Sequence, residues 1–519
     1  MAKVIVNGVL CIASVLAASL LLPGYGELGA HAANASEDRP PNVIYILADD
    51  LGYGDLGAFG QQHIETPSLD KMAEEGMRLT QHYAGSTVCA PSRASLVTGK
   101  QPGVVQIRGN YELGTFLDEE EYGQMPLRPG TETIGTMMQD AGYKTALIGK
   151  WGLGGPESYG TPNKQGFDYF FGYLDQKQAH NHYPTHLWLN EERFPLDNTY
   201  LDTHQKLPED ANPNDPASYL PYKREDFAQQ RLADDALRYI TEHKDDPFFL
   251  FLSFATPHAS LQAPDADIAA YAESGFVETP NLGGGQDYMP VQNPKAVRAA
   301  MISHLDRSIG DVLAKLEELQ LDENTLVIFS SDNGPSWEGG ADLAFFDANG
   351  PFRGYKRDLY EGGIRMPTIA WWPEKIHPGS NSDHMSAFWD LMPTLAEVAG
   401  VDSPETTDGI SFLPTLLGET GQKLHSHLYW EFHNNNGNHA QAIRLDDAAG
   451  QWKAVRLYNE GQRENPPVEL YNLKVDLAEQ HNVAGAHPER VAQILALMKS
   501  SRTRADIDSW NFDYWPQSD

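Results

Sequence analysis

Three short clusters carry residue types that metal-assisted hydrolysis uses. Asp49-Asp50 follow an apolar run, Asp332-Asn333 follow a second one, and Cys89-Ala90-Pro91-Ser92-Arg93 lies between them. Three carboxylates and one amide oxygen make a hard oxygen donor set, suited to Ca²⁺ or Mg²⁺ rather than Zn²⁺. Each pair alone reads equally as an Asx turn closing a strand, but their common placement at strand ends argues for a joint role. Pro91 suits a first helical turn, which puts Cys89 at or just before a helix N-terminus. Free backbone N–H groups there favour an anion and lower a thiol pKa. Arg93, four residues on, returns toward Cys89 on the same helical face. The only other cysteine is Cys11. A lone cysteine is by default a small buried hydrophobe, and its neighbours argue against that default here.

Bringing these clusters together requires strands that end at one place. Asn42–Ala48 is a near-continuous β-branched run, the pattern of a strand buried on both faces. Thr66-Pro67 caps a helix through about Gly76, and a helix near Thr133–Asp140 leads through Gly142 into a strand at Tyr143–Ile148. Phe248–Phe254 and Thr325–Ser330 read as further strands, and Ala299–Leu319 as a long amphipathic helix. The alternation predicts an α/β fold with a large, mostly parallel sheet flanked by helices. After about Gly400 the rhythm changes to short strand-like pieces at His427–Phe432, Gln441–Leu445, Trp452–Tyr458 and Glu469–Tyr471, then a helix from about Pro488 to Ser500. This predicts a catalytic domain over 41–400 and a smaller C-terminal α+β part over 401–519 with an antiparallel sheet. Asn190–Tyr222, rich in Pro, Asn and Asp, reads as a long irregular insertion of the kind that shapes binding sites.

Composition excludes several partners. The 519 residues include 38 Lys+Arg and 72 Asp+Glu, a net charge of −34. That balance argues against nucleic acid and against anionic membranes. An anionic substrate then needs a local cluster of cations. At the start, Lys3, an apolar run from Val4 to Leu22 and the small-residue site Ala30-His31-Ala32 read as a secretory signal over residues 1–32 rather than a membrane anchor. No second stretch is apolar enough to span a bilayer. The expectation is an exported protein, periplasmic or secreted, carrying one thiol and no internal disulfide.

Cys-x-Pro-x-Arg, continued as SRASLVTGK, resembles the signature of the type I, formylglycine-dependent sulfatases of the alkaline phosphatase superfamily. Other segments resemble family segments in the same order: NVIYILADDLGYGDLG, GYKTALIGKWGLG, FATPHAS, SSDNGP, GPFRGYKRDLYEGGIRMP and VELYNLKVDLAEQHNVA. The resemblance implies an alkaline phosphatase-like fold and a sulfuric ester hydrolase. It implies that a formylglycine-generating enzyme oxidises Cys89 to formylglycine (3-oxoalanine), whose hydrated aldehyde attacks sulfur with one hydroxyl and expels sulfate with the other. That accounts for an unpaired cysteine in an exported protein. Carried over by motif, the ligands of one Ca²⁺ are Asp49, Asp50, Asp332, Asn333 and the modified Cys89. Arg93 holds the formylglycine, Lys150 and Lys356 neutralise sulfate oxygens, and His258 is the general acid for the departing oxygen.

One departure stands out. Many members carry histidine two residues after the first lysine, contacting the formylglycine; here that position is Gly152. His180 and His182, in the polar segment Gln176–Pro184, are candidates for that contact or for sugar recognition. Trp151, Trp188 and Tyr183 are candidates for stacking on a sugar face. GKWGLG with an AHNHYP-like segment resembles bacterial carbohydrate sulfatases acting on sulfated galactose or N-acetylgalactosamine, which suggests exo action on a 4- or 6-sulfate. Two alternatives are a phosphate-ester or phosphonate hydrolase of the same superfamily and a sulfatase-like carbohydrate-binding protein. The cysteine argues against the first, and the retained Arg93, lysines and His258 against the second.

Overall fold

The computed structural model describes residues 39–115, 117, 121–434, 439–458 and 466–512; the expected signal segment and Cys11 lie outside them. An eleven-stranded sheet forms the centre. Its order runs Ser380–Ser382, Met77–Tyr83, Arg365–Trp371, Thr325–Ser331, Asn42–Ala48, Phe248–Ser253, Lys144–Lys150, Tyr169–Tyr173, His186–Leu189, Glu192–Pro195, with Ser386–Ala387 paired beside Met77–Tyr83. The middle strands, from Thr325–Ser331 to Tyr169–Tyr173, are all parallel. Antiparallel strands flank them on both sides. The expectation of a large, mostly parallel sheet therefore holds.

Asn42–Ala48 and Phe248–Ser253 are buried at every position, which is why they read as apolar runs without alternation. Ile44, Ile46, Leu250 and Leu252 pack on one side of the sheet with Ile302 and Leu305 of the helix Pro294–Glu318. Val43, Tyr45, Leu47, Phe249 and Phe251 pack on the other with Leu96 of the helix Cys89–Thr98 and Leu395 of Leu391–Ala399. The long helix begins at Pro294, five residues before the expected start, because Pro at the first position needs no N–H partner.

The C-terminal region holds an antiparallel sheet of Leu428–His433, His439–Asp447, Gly450–Tyr458 and Val468–Asn472, followed by the helix Pro488–Ser500. Trp430, Ala442 and Val455 of this sheet share a buried cluster with Tyr83, Ile364 and Trp389. Residues from Pro40 onward make one compact unit. The expected irregular insertion contains two regular pieces. Glu192–Pro195 pairs with His186–Leu189 as a hairpin on the sheet edge, turning at Asn190 in the left-handed region. A 3₁₀ segment covers Pro216–Tyr222. Among the described residues, no helix is long and apolar enough to cross a membrane.

Candidate active site

Parallel strands deliver side chains to one place by ending together, and ligands of open α/β sheets bind at those carboxyl ends. Ala48 stands opposite Ser331, so Asp49-Asp50 and Asp332-Asn333 emerge side by side. The Asp332 N–H donates to the Ala48 carbonyl (3.0 Å), and that of Asp49 to Thr256 (3.1 Å). Phe248–Ser253 leads into His258, and Lys150 is the last residue of its strand. Four adjacent strands thus converge on one spot. Cys89 is the first residue of the helix Cys89–Thr98, as its spacing from Pro91 predicts, and is buried there.

Ligand atoms of Asp49, Asp50, Cys89 and His258 all lie within 4.8 Å of one another. The Cys89 thiol faces Asp49 Oδ1 at 3.5 Å. Burial, then the Asp49 charge, pushes that thiol well above its ordinary value. This overturns the lowered thiol pKa expected from the helix N-terminus: a fully buried sulfur beside carboxylates loses more than helix-end N–H groups return.

The cations hold the carboxylates. Lys150 Nζ bonds Asp49 Oδ2. Arg93 donates to Asp332 Oδ2 (3.0 Å), Asp49 Oδ2 (3.2 Å), the Lys150 carbonyl (2.8 Å) and Ser253 Oγ (2.6 Å). Arg93 therefore grips the acidic cluster, whose two carboxylates its planar fork fits. Burial alone would raise the Asp49 carboxyl, but Lys150, His258 and Arg93 more than offset it and hold it below the usual range. Burial and the Asp49 charge push Asp332 up instead.

These residues fit a hard cation. The Asn333 amide nitrogen donates to Asp50 Oδ1 (2.7 Å), while its buried Oδ1 has no hydrogen-bond partner among the described residues. A buried acceptor beside these carboxylates calls for a donor or a cation. Asp332 stands slightly apart, with Oδ1 accepting from the Asp50 N–H (3.2 Å).

Lys356 Nζ donates to Asp50 Oδ2 (2.8 Å), His258 Nε2 (3.1 Å) and Glu338 Oε2 (3.3 Å). His258 Nδ1 lies against the Ala259 carbonyl, which can only accept, so Nδ1 carries the hydrogen and Nε2 faces the site. Burial and the Lys356 ammonium lower the His258 pKa.

The surrounding cavity, about 330 Å³, is lined by Cys89, His258 and Lys356 together with Glu112, Gln176, His180, His204, Tyr288, Glu338, Arg357 and His433. His180 belongs to it, its ring stacked on His258 at 4.8 Å and 13°. His182 does not: Nε2 contacts the His258 carbonyl (2.9 Å) and Nδ1 the Gln229 amide (3.1 Å), so it supports the backbone behind His258. The aromatic candidates also lie elsewhere. Trp151 is buried with its indole N–H on the Gly160 carbonyl (2.6 Å), Trp188 donates to Glu121 (2.8 Å), and Tyr183 lines a separate cavity. Their apolar faces serve packing, the commoner use of such rings.

Glu338 was not legible in the sequence. It sits in SWEGG, six residues past Asp332, with no spacing that marks it. It accepts from Arg357 (2.9 Å) and Ser336 (2.8 Å), and although burial opposes its charge, Lys356 and Arg357 hold its carboxyl well below the ordinary range. Nor did any pattern connect His433, on a C-terminal strand, or Tyr288 to a site built on distant strands.

A family model described as Sulfatase matches residues 41–401, and one described as N-sulphoglucosamine sulphohydrolase, C-terminal, matches residues 350–505. Similar proteins include mouse steryl-sulfatase, 31% identical over 80% of this chain and 70% of the other. Rat N-acetylgalactosamine-6-sulfatase is 32% identical over 86% and 76%, and N-acetylgalactosamine-6-O-sulfatase of Bacteroides thetaiotaomicron is 29% identical over 93% and 98%. A solved structure, described as part of a Bacteroides thetaiotaomicron core locus for metabolism of multiple glycosaminoglycans, superposes with TM-score 0.70 at 27% identity, covering 90% of this chain and all (100%) of that one.

Proposed function

The chain belongs to the sulfatase family, and from that premise we propose that it hydrolyses a sulfate ester of a carbohydrate, galactose or N-acetylgalactosamine 4- or 6-sulfate at a chain end. The observation that carries this reading is the convergence of Asp49, Asp50, Asp332, Asn333, Lys150 and His258 around Cys89 at the ends of adjacent strands. The wall of polar and ring side chains, including His204, Tyr288 and His433, suits a sugar better than an apolar ring system. N-acetylgalactosamine sulfatases among the relatives support the sugar class.

Residue 89 would act as formylglycine, whose hydrate supplies two hydroxyls, one to attack sulfur and one to expel sulfate. Asp49, Asp50, Asn333 and Asp332 would hold Ca²⁺, which supplies positive charge to the oxygens of sulfate and residue 89. The remaining work belongs to ordinary side chains. Lys150 and Lys356 are buried with their ammonium groups held on Asp49 and Asp50, so their charge would help neutralise a sulfate bound at that cluster. His258 presents Nε2 to the site and must carry a proton there to serve as acid. An incoming sulfate offsets the Lys356 charge that now opposes that proton. Arg93 fixes Asp49 and Asp332 relative to each other. The charged, apolar and small-residue pattern of residues 1–32 supports export, which maturation of Cys89 by a dedicated enzyme would accompany.

The test is release of inorganic sulfate from 4- and 6-sulfated N-acetylgalactosamine and galactose, with a phosphate monoester and a steroid sulfate as controls. Turnover of a sugar sulfate that Cys89→Ala abolishes supports the reading. Preference for the phosphate or the steroid ester refutes it. Exhaustive chelation should remove the activity, with Ca²⁺ restoring it and Zn²⁺ failing to, as an all-oxygen donor set requires.

A further inference from the structure

Gly152 and Gln176 lie side by side just beyond two paired strands. Lys150 stands opposite Tyr173, and the chains stay joined past the strand ends by Trp151 N–H to the Tyr173 carbonyl (3.0 Å) and Gly152 N–H to the Leu174 carbonyl (3.3 Å). Gly152 has φ +81°, and a Cβ built there would meet Gln176 Oε1 at 3.3 Å and its Cβ at 3.5 Å. A side chain at 152 would press against the Gln176 amide, which the bare glycine does not.

Gln176 is held in place. Its N–H donates to Gln124 Oε1 (2.9 Å), and Asp175 next to it accepts from Gly123, the Gln124 amide and the Lys177 N–H. The amide is also oriented: Nε2 faces Glu112 Oε1 at 3.4 Å, and a carboxylate accepts only from the nitrogen end. That turns Oε1 away from Glu112. Gln176 is about 1% exposed and lines the cavity that holds Cys89, yet Oε1 has no hydrogen-bond partner among the described residues. A buried amide oxygen without a donor is costly, so this one calls for a partner, a water or a group of residue 89 across the shared cavity. The unmodified thiol at 89 is a weak donor already turned to Asp49; a hydroxyl would be a strong one.

We infer that Gln176 is a positioning acceptor for residue 89, its Oε1 receiving a hydrogen bond from a hydroxyl of the matured side chain. The inference rests on the proposed formylglycine chemistry and adds the residue that orients it. Gln176 takes no proton; it fixes the direction of one O–H.

The experiment uses the matured full-length enzyme. Gln176→Met keeps length and removes the acceptor, while Gln176→His restores one. Each is assayed on a sugar sulfate and an activated aryl sulfate, with Cys89 conversion measured by peptide mass spectrometry. The Met variant should mature normally and lose about 10–100-fold in kcat on both substrates with KM nearly unchanged, and the His variant should recover several-fold of that loss. Wild-type kcat in the Met variant, an equal loss in the His variant, loss confined to KM, or failure of Cys89 to convert would each overturn it. A wild-type enzyme that converts Cys89 and turns over sulfate keeps the functional reading intact whichever way Gln176 falls. One that does neither takes both down.

Discussion

His258 shows how an environment sets a residue's task. Its Nδ1 is committed to a backbone carbonyl, its ring is stacked on His180, and Nε2 meets Lys356 at 3.1 Å. If it protonates the departing oxygen, His258→Ala should cost sugar sulfates about 10²–10⁴-fold more than an activated aryl sulfate, because a phenolate leaves unaided and a sugar alkoxide does not. Lys356→Ala is the control and should slow both ester types alike, since the sulfate charge is common to them. Steady-state kcat/KM on the two substrates checks both, and equal losses in the His258 variant would reduce it to a sulfate-positioning group. At this scale the sequence was informative where function uses a fixed order of residue types. Asp49-Asp50, Cys89-x-Pro-x-Arg93 and Asp332-Asn333 were legible because each sits in a short run with its own signature. Glu338 and Gln176 were not, since their importance comes from what tertiary packing sets beside them.

Strands carry these groups, and their close pairing explains the glycines between them. Gly149 has φ +122°, and a Cβ there would stand 1.8 Å from the Ser253 carbonyl oxygen on the neighbouring strand. Gly149→Ala should therefore destabilise the fold by about 3 kcal/mol or more, through backbone strain and overpacking together. Thermal unfolding and soluble yield measure it, and an unchanged melting temperature would mean that the strands can separate there at no cost. The central strands were readable because burial on both faces removes alternation and leaves continuous apolar runs. Met77–Tyr83 (MRLTQHY) and Arg365–Trp371 (RMPTIAW) escaped notice: their polar residues and Pro367 weaken a strand signal, and long-range pairing decides their state. The Glu192–Pro195 strand was hidden by the Pro, Asn and Asp that surround it.

In the whole molecule, the C-terminal sheet is joined to the large sheet by buried charge as well as by apolar contact. Glu361 accepts from Lys453 of that sheet (2.8 Å), from the Tyr83 hydroxyl (2.7 Å) and from Arg365 (3.2 Å), all buried. Burial alone would raise the Glu361 carboxyl, but Lys453 and Arg365 more than offset it and hold it below its ordinary range. Glu361→Ala should cost about 3–5 kcal/mol by taking the nearer carboxylate from Lys453, which keeps only Glu479 at 3.7 Å, whereas the apolar triple Glu361→Leu, Lys453→Met, Glu479→Gln should cost less. Thermal melts of the three proteins distinguish these outcomes, and an equal loss in single and triple variants would contradict the charge argument. This junction matters for chemistry because His433, two strands along the same sheet from Lys453, forms part of the cavity wall around Cys89. No sequence pattern connects two regions so far apart in the chain. The central claim is that a matured residue 89 does the chemistry. Its most direct test is to measure the converted fraction at Cys89 by peptide mass spectrometry across preparations made with increasing amounts of maturing enzyme, and to plot sulfate release against it. A line through the origin is the predicted result; substantial turnover in a preparation whose residue 89 is entirely thiol would contradict the account.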